Sequence, residues 1–135
     1  MHTIYSLGYL SSTPDDVKAY VDTLGARLVD IRFSPRSRNP NWTMAALIRL
    51  VGADRYLHEQ RLGNVNYRNG GPIRLWQPEA ALPAMRAELA DHPVILLCAC
   101  REWQPCHRRV AADFLSQQLG APVEHLPGRI AERKA

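Results

Sequence analysis

Residues 94–115 read VILLCACREWQPCHRRVAADFL, which is an apolar run, a polar loop and then a helical pattern. The apolar run from Pro93 to Leu97 shows no alternation, and this predicts a strand that is covered on both faces. From about Cys106, apolar residues recur at helical spacing until Gly120, where we expect the helix to end. All three cysteines of the chain lie in this stretch. The unit therefore predicts an α/β fold and marks the first place to look for a site.

The remainder of the chain alternates between strand and helix patterns. Thr13 and Pro14 are typical of a helix start, and Gly25 is typical of a helix end. Strands are expected at residues 3–7, 27–31, 55–58 and 122–126, and further helices over residues 44–51 and from residue 78. This alternation predicts a single compact three-layer α/β domain over residues 1–135. Its sheet should be mostly parallel with helices on both faces, rhodanese- or Rossmann-like in outline.

The composition is that of an ordinary globular protein, with 46% hydrophobic and 22% charged residues in a chain of 135. No apolar run approaches the roughly 20 residues that span a bilayer, and the N-terminus has no signal-peptide pattern, so we expect no membrane partner. Three clustered cysteines, an odd number, argue against a disulfide framework. We therefore predict a reduced, cytoplasmic protein. The net charge of +4 permits an anionic ligand or nucleic acid without requiring either.

Two loops at the carboxyl edge of the predicted sheet carry most of the polar chemistry. Ligands of parallel sheets bind at this edge, and a helix beginning near Cys106 would add free backbone N–H groups for an anion. Because arginine suits bidentate contact with phosphate, we predict a pocket for a small phosphate-type anion between the Arg32–Arg38 loop and the Cys98–Arg108 loop. The alternative is that the arginines pair with carboxylates or lie in solvent. The predicted ligand-binding residues are Asp30, Arg32, Arg36, Arg38 and Arg108.

The cysteines suggest a reaction at the same place. A thiol beside His and Arg at a helix N-terminus has a lowered pKa and becomes nucleophilic. Cys98 and Cys106 are the candidate nucleophiles, and His107 is the candidate acid–base group because its ordinary pKa lies near neutral. The pattern allows a Cys/His-dependent hydrolase or transferase, although free cysteines are also common as small buried residues. A cysteine-phosphatase loop is disfavoured, because the sixth residue after each cysteine is Gln104, Cys106 or Ala112 and never Arg.

Zinc is a further interpretation of the same residues. Cys98, Cys100, Cys106 and His107 could supply four ligands, but they contain no CxxC pair, and adjacent helical residues point about 100° apart. We therefore predict no metal and no cofactor.

The alternative to an enzyme is a non-catalytic module that binds nucleotide or nucleic acid through the same basic face. Several aromatic residues fall in predicted loops among arginines, where they could stack bases. The sequence contains no standard nucleic-acid-binding motif. The two interpretations differ in the expected effect of Cys106→Ser and His107→Ala, which should abolish turnover of an enzyme and matter little to a binding module.

Three segments of the chain form a recognisable combination: TIYSLG at residues 3–8, VDIRFSPRSR at residues 29–38, and LLC at residues 96–98 followed by CHR at residues 106–108. Together they resemble the domain of unknown function 488 (DUF488) family over nearly the whole chain. The resemblance implies a compact α/β domain and no settled activity. The site residues that it nominates are Asp30, Arg32, Pro35, Arg36, Arg38, Cys98, Cys106, His107 and Arg108.

The chain departs from the family pattern at two positions. Tyr9 stands where the family commonly has a His, and Cys100 stands where many members have an acidic residue. If the family's His performs acid–base work, Tyr9 or His58 would have to replace it here. Cys100 could alter an activity or merely add a thiol.

Overall fold

The computed structural model describes residues 1–130 and contains the predicted alternation of strands and helices. Its strands are β1 (Ile4–Gly8), β2 (Arg27–Asp30), β3 (Tyr56–His58), β4 (Val94–Cys98) and β5 (Val123–His125). Its α-helices are α1 (Pro14–Leu24), α2 (Met44–Val51), α3 (Pro78–Asp91) and α4 (His107–Leu119). These elements confirm the predicted order, with small shifts at the strand ends. The predicted domain continued to residue 135, and residues 131–135 lie outside the described part.

The strand pairs of the sheet are all parallel, and the strand order is β3-β2-β4-β1-β5. The central strand β4 lies between β2 and β1, and all five of its residues are buried. A strand covered on both faces has no polar side, which explains the unbroken apolar run in the sequence. The predicted parallel sheet is confirmed.

Helices cover both faces of the sheet and so confirm the three layers. On one face, α3 and α4 bury Ala81, Met85, Leu89, Ala111, Ala112 and Leu115. On the other face, α1 and α2 bury Val17, Tyr20, Val21, Leu47 and Val51. Because each large apolar side chain contributes about 1.5–3 kcal/mol when buried, these two cores hold the helices against the sheet.

The helix ends follow the signals in the sequence. Thr13 caps α1 in a capping box with Asp16, and the chain leaves α1 through Gly25 with φ of 59°, a left-handed conformation that favours glycine. The Cys106 sulfur caps α4 by accepting from the Arg108 backbone N–H, and Gly120 ends this helix with φ of 74°. The N-terminus of α4 is therefore fixed directly behind the loop that carries the cysteines.

Three neighbouring strands bring their following loops together at the carboxyl edge of the sheet. Since β2, β4 and β1 are adjacent, the loops after Asp30, Cys98 and Gly8 meet at one place. The loop after β4 folds back over β1, where a Cβ at residue 8 would collide with the Cys100 carbonyl oxygen. Glycine at residue 8 is thus required for this close approach. Within residues 1–130, no helix has both the length and the hydropathy needed to cross a membrane.

Candidate functional site

A cavity of about 280 Å³ opens at the carboxyl edge of the sheet, where the loops after β1, β2 and β4 meet. The segment between β3 and α3 supplies its outer wall, held in shape by the antiparallel bridge between Asn64 and Leu75. This cavity is called the edge pocket below. Its lining residues are Tyr9, Arg32, Phe33, Ser34, Arg36, Asn64, Tyr67, Ala99, Cys100 and His107.

Arg32 reaches the edge pocket, but the hydrogen-bond donors of its guanidinium already have partners in the fold. Its Nε and Nη2 donate to the two carboxylate oxygens of Asp30 at 2.9 and 2.6 Å, and its Nη1 donates to the Trp42 carbonyl at 2.6 Å. Burial alone would lower the pKa of Arg32, but the hydrogen bonds and charge of Asp30 outweigh it and raise the pKa. Arg32 therefore remains charged and paired, which is the structural alternative raised from the sequence.

Asp30 is completely buried and does not line the pocket. Besides Arg32, it accepts a hydrogen bond of 2.6 Å from the Tyr56 hydroxyl. Burial and then the Asp30 charge raise the pKa of Tyr56, so this hydroxyl stays protonated and keeps donating. Asp30, Arg32 and Tyr56 thus form a closed network beneath the pocket.

Arg36 and Arg38 are exposed, in contrast to Arg32, and lie beside Arg68 of the loop between β3 and α3. Arg36 lines the edge pocket and two shallower cavities next to it, of about 650 and 310 Å³. No acidic residue in the described chain lines any of these three cavities. We call the three cavities together the basic groove. The side chains of Arg36 and Arg38 have no hydrogen bond or ion pair within residues 1–130.

Aromatic rings flank the basic groove. The Phe33 ring contacts Tyr67 at a centroid distance of 6.2 Å and Trp76 at 5.6 Å. Tyr67 and Trp76 are 46% and 44% exposed, which is unusual for large rings in a small domain. The Arg68 guanidinium lies over the Tyr67 ring at 5.4 Å from its centroid. The groove therefore combines unpaired positive charge with accessible flat apolar surface.

The three cysteine sulfurs converge behind the pocket wall. Cys100 and Cys106 form a disulfide, and the Cys98 sulfur lies 3.0 Å from the Cys100 sulfur and 2.9 Å from the Cys106 sulfur. Cys98 is free and fully buried. Burial raises the pKa of the Cys98 thiol to about 11, although the nearby Arg108 charge acts in the opposite direction. This disulfide differs from the prediction that all three cysteines are reduced. The loop after β4 passes over Gly8 and brings Cys100 beside Cys106 at the start of α4.

His107 lines the edge pocket at the first residue of α4. Its Nε2 lies 3.1 Å from the Ile31 carbonyl oxygen, so Nε2 carries the hydrogen and Nδ1 presents a lone pair. Nδ1 lies 4.0 Å from the Cys106 sulfur. Burial lowers the pKa of His107, with the Ile31 hydrogen bond partly opposing it, so the ring is neutral at pH 7.

Arg108 is 1% exposed and does not line the edge pocket. Its Nη2 donates to the Arg101 carbonyl at 3.2 Å, whereas its Nε and Nη1 are buried without a hydrogen-bond partner in the described chain. No carboxylate of residues 1–130 forms an ion pair with it. Burial lowers the pKa of Arg108, and the Cys98 sulfur, in its ionised form, and then the Glu102 carboxylate act in the opposite direction.

The structure thus brings together most of the residues predicted from the sequence, in two sets. Arg32, Arg36 and His107 line the edge pocket, and Arg38 lines the groove beside it. The second set lies behind the pocket wall and consists of Asp30, Cys98, Cys106 and Arg108.

Sequence reasoning missed the wall that the loop between β3 and α3 provides. Asn64, Tyr67 and Arg68 line the basic groove, and all three lie well beyond the end of β3 at His58. The available signal was the length of this connection, since a long loop in a compact domain is often functional. Which of its side chains face the groove depends on the bridge between Asn64 and Leu75, and a single sequence carries no sign of this pairing.

The fold and site define an α/β domain with an all-parallel sheet and a candidate pocket at its carboxyl edge. The family model described as Domain of unknown function DUF488 matches residues 74–115, which include all three cysteines, His107 and Arg108. This match supports the predicted resemblance to the DUF488 family over residues 74–115, whereas the segments at residues 3–8 and 29–38 lie outside the matched range. No curated protein and no solved structure matches the chain.

Proposed function

We propose that the protein binds a phosphate-bearing ligand in the basic groove, with Arg36 as the main contact to the phosphate. The observation that carries the proposal is the unneutralised charge of the groove: Arg36, Arg38 and Arg68 line it, and no acidic residue of the described chain does. Arg36 reaches all three cavities, so it can contact a phosphate at the pocket mouth. A guanidinium donates two parallel hydrogen bonds to a phosphate, which suits this role.

The remaining walls suggest how the rest of the ligand would be held. Ser34 and Asn64 offer polar side chains in the edge pocket, while Phe33 and Tyr67 offer rings. A ligand with a flat apolar group attached to its phosphate, such as a nucleotide, would match both halves of this surface. Arg32 would contribute shape rather than charge, because Asp30 neutralises it.

The test is to titrate the protein with inorganic phosphate, a nucleoside monophosphate and a nucleoside diphosphate by calorimetry. Arg36→Ala should weaken binding about 10- to 100-fold, because a hydrogen bond to a charged group contributes about 1.5–3 kcal/mol. Arg86→Ala is the matched control, since Arg86 is exposed on α3 and lines none of the cavities. Equal affinities in the two variants would refute the proposal.

Nucleic acid is the second candidate, and the exposure of Tyr67 and Trp76 beside Arg68 favours it. Tyr67 lines the edge pocket and Trp76 does not, and successive bases of a single strand could stack on the exposed faces of the two rings. An oligonucleotide should then bind with an affinity that falls steeply as salt rises, and Tyr67→Ala should weaken it. A small ligand in the edge pocket would show the weaker salt dependence expected for one or two phosphates.

The catalytic roles of Cys98, Cys106 and His107 stay predictions.

A further inference from the structure

The three cysteine sulfurs are already arranged as a set of metal ligands. All of them lie within 4.8 Å of one another, although they come from the end of β4, the following loop and the cap of α4. In a tetrahedral zinc site with Zn–S bonds of about 2.3 Å, the sulfurs stand about 3.8 Å apart. Once the bond between Cys100 and Cys106 is reduced, outward shifts of about 1 Å would give this spacing. The separation of the three residues along the chain therefore does not prevent a common ion.

The buried guanidinium of Arg108 is the independent observation that points to a bound anionic group. A cation that is 1% exposed has a large desolvation penalty unless an opposite charge compensates it. Its Nε and Nη1 have no partner within the described residues, and a disulfide with a neutral thiol supplies no negative charge. Zn²⁺ with three thiolates carries a net charge of −1. Such a centre would neutralise Arg108 in place.

A backbone donor points at the same cluster. The Arg108 N–H donates to the Cys106 sulfur at 3.5 Å. Hydrogen bonds of this kind orient thiolates and stabilise them around a metal. On the pocket side of the cluster, the His107 Nδ1 lone pair lies 4.0 Å from the Cys106 sulfur and adds an electron-pair donor near the three sulfurs.

We propose that the reduced protein binds one Zn²⁺ ion through the thiolates of Cys98, Cys100 and Cys106. A thiol or phosphine reductant first gives two electrons to the disulfide between Cys100 and Cys106, and two protons convert these sulfurs into thiols. The reductant is oxidised to its disulfide or, with the oxygen of water, to its phosphine oxide. Zn²⁺ then displaces one proton from each of the three thiols, forms three Zn–S bonds and leaves a fourth position for a ligand from the edge pocket.

The experiment is a titration of the phosphine-reduced protein with Co²⁺ and then Zn²⁺ in the absence of oxygen. We expect one equivalent of Co²⁺ to give the visible bands of tetrahedral coordination and thiolate-to-metal charge transfer, and we expect Zn²⁺ to displace it. The oxidised protein should show no such bands, because two of the three ligands are then in a disulfide. His2→Ala, which removes an exposed nitrogen ligand at the opposite edge of the sheet, should bind like the wild type.

Cys100→Ser is the decisive variant, because Cys100 is half-buried and its replacement leaves the core intact. Loss of a direct ligand should weaken Zn²⁺ binding by at least about 100-fold, since loss of an outer contact already weakens it 10- to 100-fold. Protection of the half-buried Cys100 thiol from alkylation by Zn²⁺, read by mass spectrometry on the reduced wild type, gives the same answer without a substitution. The proposal is overturned if the reduced protein shows no charge transfer, if Cys100→Ser binds Zn²⁺ as tightly as the wild type, or if alkylation is unaffected.

Discussion

Two arginines are buried near the carboxyl edge of this sheet, and they differ in the charge and hydrogen-bond partners that surround their guanidinium groups. Arg32 is 6% exposed and has a partner for every side of its guanidinium, with both oxygens of Asp30 in a bidentate ion pair. Arg108 is 1% exposed and has one hydrogen bond, to a carbonyl. Within residues 1–130, Arg32 has an ion-pair partner in Asp30, whereas Arg108 has none and only the charge of Glu102, beyond ion-pair distance, favours its charged form among the carboxylates. A buried arginine beside a pocket is thus a structural residue in one case and a sign of an external charge in the other.

Asp30→Ala should have the largest effect on stability, because it removes the ion-pair partner that distinguishes Arg32 from Arg108. It leaves the Arg32 charge buried without an ion-pair partner and also removes the acceptor of the Tyr56 hydroxyl. We expect the free energy of unfolding to fall by about 3–5 kcal/mol, the usual loss when one partner of a buried ion pair is removed. Urea denaturation followed by circular dichroism measures it. Asp22→Ala, which removes an exposed carboxylate paired with Lys18 and Arg55, should change stability far less. Similar losses in the two variants would show that Arg32 and Asp30 are not a stabilising pair.

Replacing each arginine by methionine in the oxidised protein should give clearly different changes in the free energy of unfolding. Arg32→Met leaves Asp30 buried without its ion-pair partner and should cost about 3–5 kcal/mol, whereas Arg108→Met removes a charge that has no ion-pair partner in the described chain. We expect Arg108→Met to leave the free energy of unfolding unchanged or to raise it by up to about 2 kcal/mol, because apolar replacements of buried charges are often stabilising. Thermal and urea unfolding of both variants give the values. A loss in Arg108→Met as large as that in Arg32→Met would mean that Arg108 is compensated in solution.

The sequence could predict the strands, the helices and the edge of the sheet at which the loops meet, because these depend on local signals. The unbroken apolar run at residues 94–97 and the cap formed by Thr13 are such signals, and the structure contains both. The pairing of Arg32 with Asp30, two residues away, was one of two alternatives that local reasoning left open. Local spacing could not choose between them, since the choice depends on Tyr56 and Trp42 closing the network from other segments.

The convergence of the cysteines could not be predicted for a different reason. The spacing of Cys106 and His107 disfavours a common metal, because adjacent helical residues point apart, and this spacing carries no sign that the loop returns over β1. That return depends on the missing side chain at Gly8, where the Cys100 carbonyl packs against the backbone of β1. A contact between residues 8 and 100 is set by tertiary packing. The sequence therefore identified the residues of the cluster without the geometry that gives them a chemical role.

The pKa of His125 reports the charge of Arg108 directly, and the expected effect is the smallest of those considered. Its ring stacks on Trp103 at 4.0 Å, and burial and then the Arg108 charge lower its pKa, with a smaller contribution from Arg109 and an opposing one from Asp113. A histidine with a lowered pKa in the folded state destabilises the fold as pH falls below about 6.5, its value in the unfolded chain. Stability should therefore be complete above this pH and decrease below it.

Arg108→Met should raise the pKa of His125 towards its ordinary value without reaching it, because burial, the first cause, remains. Nuclear magnetic resonance titration of the imidazole protons measures the shift, and Arg109→Met, which removes an exposed charge near the same ring, should give a smaller one. Loading the reduced wild type with Zn²⁺ should act in the same direction as Arg108→Met, since three thiolates around the ion would neutralise Arg108. An unchanged His125 pKa in Arg108→Met would mean that another anionic group already neutralises this arginine, and the contrast with Arg32 would then be lost.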